Sequence, residues 1–309
     1  MKAAYRFFLL TAILLALCSC SSLSPNSIVN TAIGWAQGNP SDVAKVQQVE
    51  QIVQAGSNAA QEITPPQEYY IGRAVAATVL TIYKPYDDQN ANTYLNTLGS
   101  GLALASVLPE TYKGYHFLIM DTDDINAFGA PSGFILVSRG LLRCAASEDE
   151  VAAILAHEIG HVSLKHGLKA ISKARWTEAG VQLGKFAAQN SDYQVLRDLT
   201  SSFGNVIGDI VKTMVTSGYS RDLEKQADLE AVRILHDVGY DPQAMVRMLA
   251  AMKLRLKPGG QDFTKTHPDP EVRIAYVKDA IKAQTPVPAP SSALVKERQA
   301  RFQAALSKI

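Results

Sequence analysis

Two histidines and one glutamate lie close enough in the sequence to bind and use one metal ion. They are His157, Glu158 and His161, which form the pattern H-E-x-x-H. An α-helix turns about 100° per residue, so residues four apart share one face and these two imidazoles could reach the same ion. The glutamate could take a proton from water that the metal has made acidic and pass it to a leaving amine. The pattern is therefore typical of a catalytic zinc site that keeps one coordination position open.

The residues around this motif predict the helix that carries it. Ser147 with Glu150 three residues later is the pattern of a capping box, and the acidic Glu148 and Asp149 suit the positive end of a helix. Apolar residues then recur at helical spacing: Val151, Ile154, Leu155, Ile159 and Val162. The alternative is a core helix that carries two histidines by chance, but the chain has only 6 histidines in 309 residues, which makes that match rare.

A third metal ligand must come from a distant segment. The strongest candidate is Glu224, which shares a helical face with Asp228 four residues later. One carboxylate could bind the metal while the other accepts the N–H of a ligand histidine and fixes its tautomer. Taken alone, this stretch is an ordinary charged helix. A Glu224 carboxylate more than about 6 Å from both imidazoles would contradict a three-ligand site.

Together these motifs resemble those of the HtpX-type zinc metallopeptidases, a gluzincin family that includes CAAX prenyl endopeptidases and periplasmic protease-chaperones. The resemblance extends over residues 67–277 and also rests on the segments 126–142, 239–242 and 266–274. The integral-membrane members carry several spanning helices, whereas this sequence has none after its leader. The nearer relatives are then the soluble or lipid-anchored bacterial members.

The resemblance implies one Zn²⁺ per chain and a role for each residue of the two motifs. The metal ligands would be His157, His161 and Glu224. Glu158 would be the general base, and Asp228 would support a ligand histidine.

The expected fold class is α+β, a predominantly helical metallopeptidase domain with a small, mostly antiparallel sheet beside the zinc-binding helix. Residues 115–121 alternate as a strand does, and residues 127–138 predict a hairpin whose tip is Pro131, Ser132 and Gly133.

The edge of this sheet could hold a substrate. By resemblance, the edge comprises Asn126, Ala127, Phe128 and Gly129. A peptide backbone could add there as an extra strand and lie extended across the metal. The alternative is an edge that a loop covers.

Two residues near the C-terminal end of the resemblance could take part in catalysis. His267 could donate to the oxyanion of a tetrahedral intermediate, or it could occupy the open zinc position in a resting state. Arg273 could orient that histidine or hold a neighbouring carboxylate. The alternative is that both only pin a loop.

Another histidine and a long insertion follow the H-E-x-x-H motif. His166 lies about 140° around the helix from His161, so it cannot join the same site unless the helix breaks. A supporting or surface role is the better prediction. Residues 169–217 predict a helical insertion, either a flap near the cleft or a plain packing helix.

The ends of the chain predict a lipoprotein. Residues 1–19 read as a lipoprotein signal peptide, because residues 17–20 resemble a bacterial lipobox that is cleaved before Cys20 and lipidated there. An ordinary secretory leader is the alternative. Residues 20–40 predict a tether, 41–283 the zinc metallopeptidase domain, and 284–309 a Pro-rich linker with a short C-terminal helix. The residue after Cys20 is not aspartate, which by resemblance indicates the outer membrane, facing the periplasm.

Composition and resemblance together indicate a function. A net charge of +1 gives no indication of nucleic-acid binding. The resemblance implies a zinc-dependent endopeptidase that cleaves misfolded or misassembled envelope proteins, with protein or peptide substrates as partners. The alternative is an envelope chaperone or assembly factor whose zinc site is mostly closed, in contact with the envelope assembly machinery. A third alternative is a structural lipoprotein without metal.

Overall fold

The structure is a computed structural model that describes residues 65–169, 211–212, 214–215, 218–255, 267, 269–286 and 288–309. These residues all belong to one compact unit, which comprises 62–175 and 192–309. The predictions for the leader, Cys20, the tether and most of the insertion lie outside the described residues.

The described chain is mostly helical and contains one small sheet, so the predicted α+β class is confirmed. The helices are α1 Pro65–Ile82, α2 Gln89–Ala103, α3 Arg139–Leu142, α4 Glu148–Ser163, α5 Arg221–Val238, α6 Gln243–Arg255, α7 Pro270–Ala283 and α8 Ser292–Leu306. The strands are β1 His116–Met120, β2 Ala127–Ala130 and β3 Phe134–Ser138, with a 3₁₀ turn at Pro131–Gly133. No helix within the described ranges is long and apolar enough to cross a membrane.

The sheet has the order β1-β3-β2, with β3 in the centre. Strands β2 and β3 form the predicted antiparallel hairpin, in which Ala127 lies opposite Val137. Strands β1 and β3 are parallel, with His116 opposite Phe134. The sheet is therefore mixed rather than mostly antiparallel. The reason is that β3 inserts beside β1, which places β2 at the outer edge instead of next to the strand before it.

Helix α4 carries the H-E-x-x-H motif through the centre of the domain. All of its residues except Asp149 are buried, because α2, α5, α6 and β2 pack against it. It begins after Ser147, as predicted, but the Ser147 hydroxyl makes no capping hydrogen bond. Instead, the Glu150 carboxylate accepts a hydrogen bond from the backbone N–H of Ala146 at 2.6 Å. The predicted capping box is thus wrong: the Ser147 hydroxyl makes no capping bond, and Glu150 accepts from the N–H of Ala146 rather than from that of Ser147.

Helix α5 packs along α4 and carries the second motif. Its N-cap is Ser220, whose hydroxyl accepts a hydrogen bond from the N–H of Leu223, and its C-cap is Gly239 with φ +78°. A left-handed glycine is a frequent helix stop. The face of α5 that meets α4 includes Glu224 and Asp228, both fully buried.

Helix α8 docks on α2 and on the N-terminal end of α4. Arg301 donates two hydrogen bonds to the buried Glu148 carboxylate, at 2.7 and 3.1 Å. The hydroxyl of Tyr240 donates to the same carboxylate at 2.9 Å. The C-terminal helix is thereby joined to the helix that carries the site.

Candidate metal centre

Three predicted metal ligands from two distant helices converge in the core. The Nε2 atoms of His157 and His161 lie 3.2 Å apart. The Glu224 carboxylate places Oε1 3.3 Å from Nε2 of His161 and Oε2 3.6 Å from Nε2 of His157. These distances fall well inside the limit of about 6 Å that the sequence analysis set.

The spacing and the chemistry of these donors fit a zinc ion. Ligands at about 2.0–2.1 Å in a tetrahedron are separated from one another by about 3.3 Å, which matches the three distances. Oε1 of Glu224 is buried and has no hydrogen-bond partner within the described residues. Burial would raise the pKa of Glu224, but His267 and His161 hold it well below its usual range. Glu224 therefore presents an ionised carboxylate beside the ring nitrogens of His157 and His161.

Asp228 holds the outer nitrogen of His157. Its Oδ1 lies 2.8 Å from Nδ1 of His157, which directs Nε2 towards the other donors. Burial lowers the pKa of His157 to about 4, and Arg273 adds to this, so the ring is neutral and keeps a lone pair for a metal.

Arg273 holds the Asp228 carboxylate, which is the second of the two roles considered for it. Its Nε and Nη2 donate to the two oxygens of Asp228 at 2.9 and 2.6 Å. The hydroxyl of Tyr276 donates to Oδ2 of Asp228 at 2.5 Å. The sequence analysis missed Tyr276, although its position three residues after Arg273 on α7 places both on one helical face.

Glu158 is buried beside the three donors. Burial raises the pKa of its carboxyl to about 7, with His161 opposing and Glu224 adding to the shift. A carboxyl with this pKa can accept and return a proton near neutral pH.

The backbone of strand β2 passes next to Glu158. A Cβ added to Gly129 would lie 2.9 Å from the Glu158 backbone oxygen and 3.2 Å from its Oε2. A small cavity opens between them, lined by Ala127, Phe128, Gly129, Glu158, Met214, Gly218, Tyr219 and His267. The predicted substrate edge therefore adjoins Glu158, but its four residues are buried. Met214 and Tyr219 lie against it, so this structure shows a covered edge.

His267 lies against the donor cluster. Its Nδ1 is 2.8 Å from Oε2 of Glu224. One donor atom from each of His157, His161, Glu224 and His267 lies within 4.8 Å of the others. His267 is thus placed where it could be a fourth ligand.

His166 also reaches the site. It is fully buried, and its Nδ1 lies 3.0 Å from Nδ1 of His161. Burial lowers the pKa of His166 to about 3. Tyr219, to which the sequence analysis assigned no role, stacks on His161 with ring centroids 4.4 Å apart.

Comparison with known proteins gives relatives that are named as proteases or metalloproteases. The beta-barrel assembly-enhancing protease of Yersinia pestis is 28% identical over 247 residues, 77% of this chain and 48% of that protein. Metalloprotease LoiP of Escherichia coli is 28% identical over 192 residues, 62% of this chain and 69% of that protein. Mitochondrial metalloendopeptidase OMA1 of Arabidopsis thaliana is 28% identical over 173 residues, 54% of this chain and 31% of that protein. The chain spans about half the length of the assembly-enhancing proteases that it matches.

A family model extends these similarities to the whole site. The model of peptidase family M48 matches residues 89–281, which include all four residues of the donor cluster. Zn²⁺ is the cofactor that this family and this donor set imply. The expected resemblance to HtpX-type zinc metallopeptidases is confirmed, and this chain belongs to peptidase family M48.

Proposed function

We propose that this chain is a zinc-dependent metalloendopeptidase that cleaves misfolded or misassembled envelope proteins. The observation that carries the proposal is the convergence of His157, His161 and Glu224, with donor atoms 3.2–3.6 Å apart, beside the buried Glu158. When bound, Zn²⁺ would supply Lewis acidity, which polarises a scissile carbonyl and lets water ionise near neutral pH. Membership of a peptidase family and the names of the relatives support the same reaction.

Residues of the chain hold the metal, orient one of its ligands and transfer the proton. His157, His161 and Glu224 hold the metal, and Asp228 keeps His157 in the tautomer whose Nε2 is free to bind. Glu158 takes a proton from the attacking water and gives it to the nitrogen of the leaving amine. Its raised pKa of about 7 suits both steps, because the group must exchange a proton in each direction.

The substrate backbone would add to the edge formed by Asn126, Ala127, Phe128 and Gly129. This edge is supported by its position, since Gly129 meets both the backbone and the carboxylate of Glu158. Strand addition would hold the peptide extended past the catalytic carboxylate. It requires the cover formed by Met214 and Tyr219 to move away.

A second function, that of an envelope chaperone or assembly factor with a mostly closed site, is favoured by one observation. His267 lies within the donor cluster while the residues of the β2 edge are buried, which supports a mostly closed site. In this alternative, binding of envelope proteins is the main activity and cleavage is incidental.

The proposed location is the periplasmic face of the outer membrane, with an anchor on lipidated Cys20. The lipobox-like residues 17–20 support the anchor. The name of the Yersinia pestis relative, a beta-barrel assembly-enhancing protease, supports contact with the envelope assembly machinery.

The Glu158→Gln variant tests the proposed function. We expect purified variant and wild type each to hold about one equivalent of zinc, while cleavage of an unfolded protein substrate falls by about 10²–10⁴-fold. The exposed Glu110→Gln is the matched control and should cleave as the wild type does. Retained cleavage by Glu158→Gln, or less than about half an equivalent of zinc in the wild type, would overturn the proposal.

The same variant separates the two functions in the native envelope. Because it should bind substrates without cleaving them, crosslinking in cells should trap misassembled envelope proteins on it. If envelope phenotypes of a deletion strain are rescued by Glu158→Gln as fully as by wild type, binding rather than cleavage is the primary function.

A further inference from the structure

The chain leaves helix α4 through an unfavourable backbone conformation that redirects His166. The helix ends at Ser163, and Lys165 then adopts φ +57°. Most residues with a Cβ rarely take this left-handed conformation. At helix ends, the residue that adopts it is usually glycine and sometimes asparagine. Within the described ranges, only Ser132 shares a positive φ among residues other than glycine. The break returns the His166 ring to His161, which a continuous helix would not do.

The contact between the two rings is a hydrogen bond that needs a single proton. Their Nδ1 atoms lie 3.0 Å apart, and both side chains are fully buried. A neutral imidazole has one N–H and one lone pair, so one ring must donate and the other must accept. The buried Nε2 of His166 forms no hydrogen bond with a described atom. The Gln226 side chain interacts with the ring and opposes the lowering of the His166 pKa by burial.

Metal binding decides which ring donates. His161 can offer its Nε2 lone pair to a metal only when its proton lies on Nδ1. That proton points at Nδ1 of His166, which must then be the acceptor. Of the two tautomers that the pair could adopt, only this one is compatible with ligation by His161.

The two ligand histidines therefore have supports of different charge. Nδ1 of His157 is held by the Asp228 carboxylate, whereas Nδ1 of His161 meets a neutral imidazole. A neutral acceptor fixes the tautomer without adding another buried carboxyl group to those of Glu158, Glu224 and Asp228. The metal site keeps its Lewis acidity, because less negative charge reaches it.

We propose that His166 is a positioning residue that accepts the Nδ1–H of His161 and so presents Nε2 of His161 to the metal. The proposal rests on the proposed function, in which His161 is a zinc ligand, and it adds a support that ring packing against Tyr219 alone would not supply. His166 itself does not bind the metal.

Two substitutions at position 166 separate hydrogen bonding from packing. His166→Phe fills the space of the ring but removes the acceptor, and His166→Asn retains an acceptor oxygen near the place of Nδ1. Zinc affinity is measured on the full chain by competition with a chelator. We expect His166→Phe to weaken zinc binding by about 10–100-fold, and His166→Asn to stay within about threefold of wild type.

Three further measurements test the backbone conformation, the position of the proton and the folding of the variants. Lys165→Gly permits the same left-handed backbone and should bind zinc as wild type does. Nitrogen NMR of the ring atoms should show the proton of His161 on Nδ1 in the zinc-bound wild type. Thermal unfolding of the metal-free variants shows whether each is folded before zinc is added.

Three results would overturn the proposal. They are wild-type zinc affinity in a folded His166→Phe, equal losses in the Phe and Asn variants, and a His161 proton on Nε2 in the zinc-bound protein. Zinc affinity is measured apart from peptide cleavage, so a chain that binds zinc through His161 but cleaves nothing would contradict the proposed function and leave this inference standing.

Discussion

Gly160 of α4 lies directly against the backbone of Ala227 in α5. A Cβ added to Gly160 would lie 2.9 Å from the Ala227 carbonyl oxygen and 3.1 Å from its Cα. Because the contact is with backbone, it cannot be relieved by a side-chain rotation. It sets the distance between the helices that carry His161 and Glu224, so it sets the separation of their donor atoms.

Gly160→Ala should therefore weaken zinc binding as well as lower stability. Alanine favours a helix by up to about 1 kcal/mol over glycine, but overpacking against backbone costs about 1–3 kcal/mol, and the second effect should win. We expect a lower melting temperature and at least a tenfold loss of zinc affinity. The control is Gly101→Ala in α2, where a Cβ meets nothing within 4 Å. It should be neutral or stabilising, and an equally harmless Gly160→Ala would contradict the tight approach of the helices.

Glu158 should make the stability of the metal-free protein depend on pH. Burial raises the pKa of Glu158 from 4.5 to about 7, so the folded state holds its proton more tightly than the unfolded state does. Its contribution to stability is present below about pH 4.5 and is lost as pH rises through 7. Glu158→Gln cannot ionise, so at pH 8 it should raise the free energy of unfolding by roughly 1–3 kcal/mol, with less effect at pH 4.

Denaturant unfolding of chelator-treated protein at the two pH values measures this difference. The exposed Glu110→Gln should change neither value. A Glu158→Gln variant that is no more stable than the wild type at pH 8 would show that the carboxylate is not penalised by burial.

Removing Arg273 should destabilise the domain through Asp228. Burial would raise the pKa of Asp228, but Arg273 and His157 hold it well below its usual range, so the wild type keeps this carboxylate ionised. Arg273→Met leaves a buried charge without its main partner, which costs about 3–5 kcal/mol at pH 7. Near pH 4 the loss should be smaller, because the carboxyl can then be protonated.

Thermal unfolding at both pH values tests the role of Arg273. Lys253→Met is the control, because it breaks an ion pair with Glu271 that is exposed on both sides and should change stability by less than about 1 kcal/mol. Equal effects of the two substitutions would count against a buried Asp228 charge.

His267→Ala should open the site. Because Nδ1 of His267 lies 2.8 Å from Glu224 within the donor cluster, we expect it to close the metal in the resting state rather than to donate to an oxyanion. Its removal should then weaken zinc binding and raise the rate of cleavage of an unfolded protein. Titration of zinc and a cleavage assay on the same preparation measure both, and a fall in cleavage at full zinc occupancy would support the oxyanion role instead.

Helix α8 should be part of the folding unit. Glu148 is buried, and Arg301 is the cation that pairs with it from α8. Deletion of residues 288–309 should lower the melting temperature, because it leaves that carboxylate with only Tyr94 and Tyr240 as partners among the described residues and removes Leu306 from the hydrophobic core. Glu297→Gln, on the exposed side of the same helix, is the control. An unchanged melting temperature after the deletion would show that α8 is dispensable.

Sequence by itself determined the parts of the site that lie on regular helix. The spacing of His157 and His161, and that of Glu224 and Asp228, each place two side chains on one face, because helix geometry converts a spacing of four residues into a common direction. The left-handed stop at Gly239 follows from the same local rules. The hairpin from β2 to β3 was predictable because turn residues separate two stretches that have the pattern of strands.

Only the tertiary structure decided how separate segments meet. The left-handed backbone at Lys165 turns His166 back onto His161. Arg273 and Tyr276 hydrogen-bond to Asp228, and β3 lies beside β1. None of these follows from spacing, since each depends on loop conformation and on contacts between residues far apart in the chain. Helix periodicity fixes directions within one element, whereas the distance between elements is set by packing, as the close approach of Gly160 to Ala227 shows.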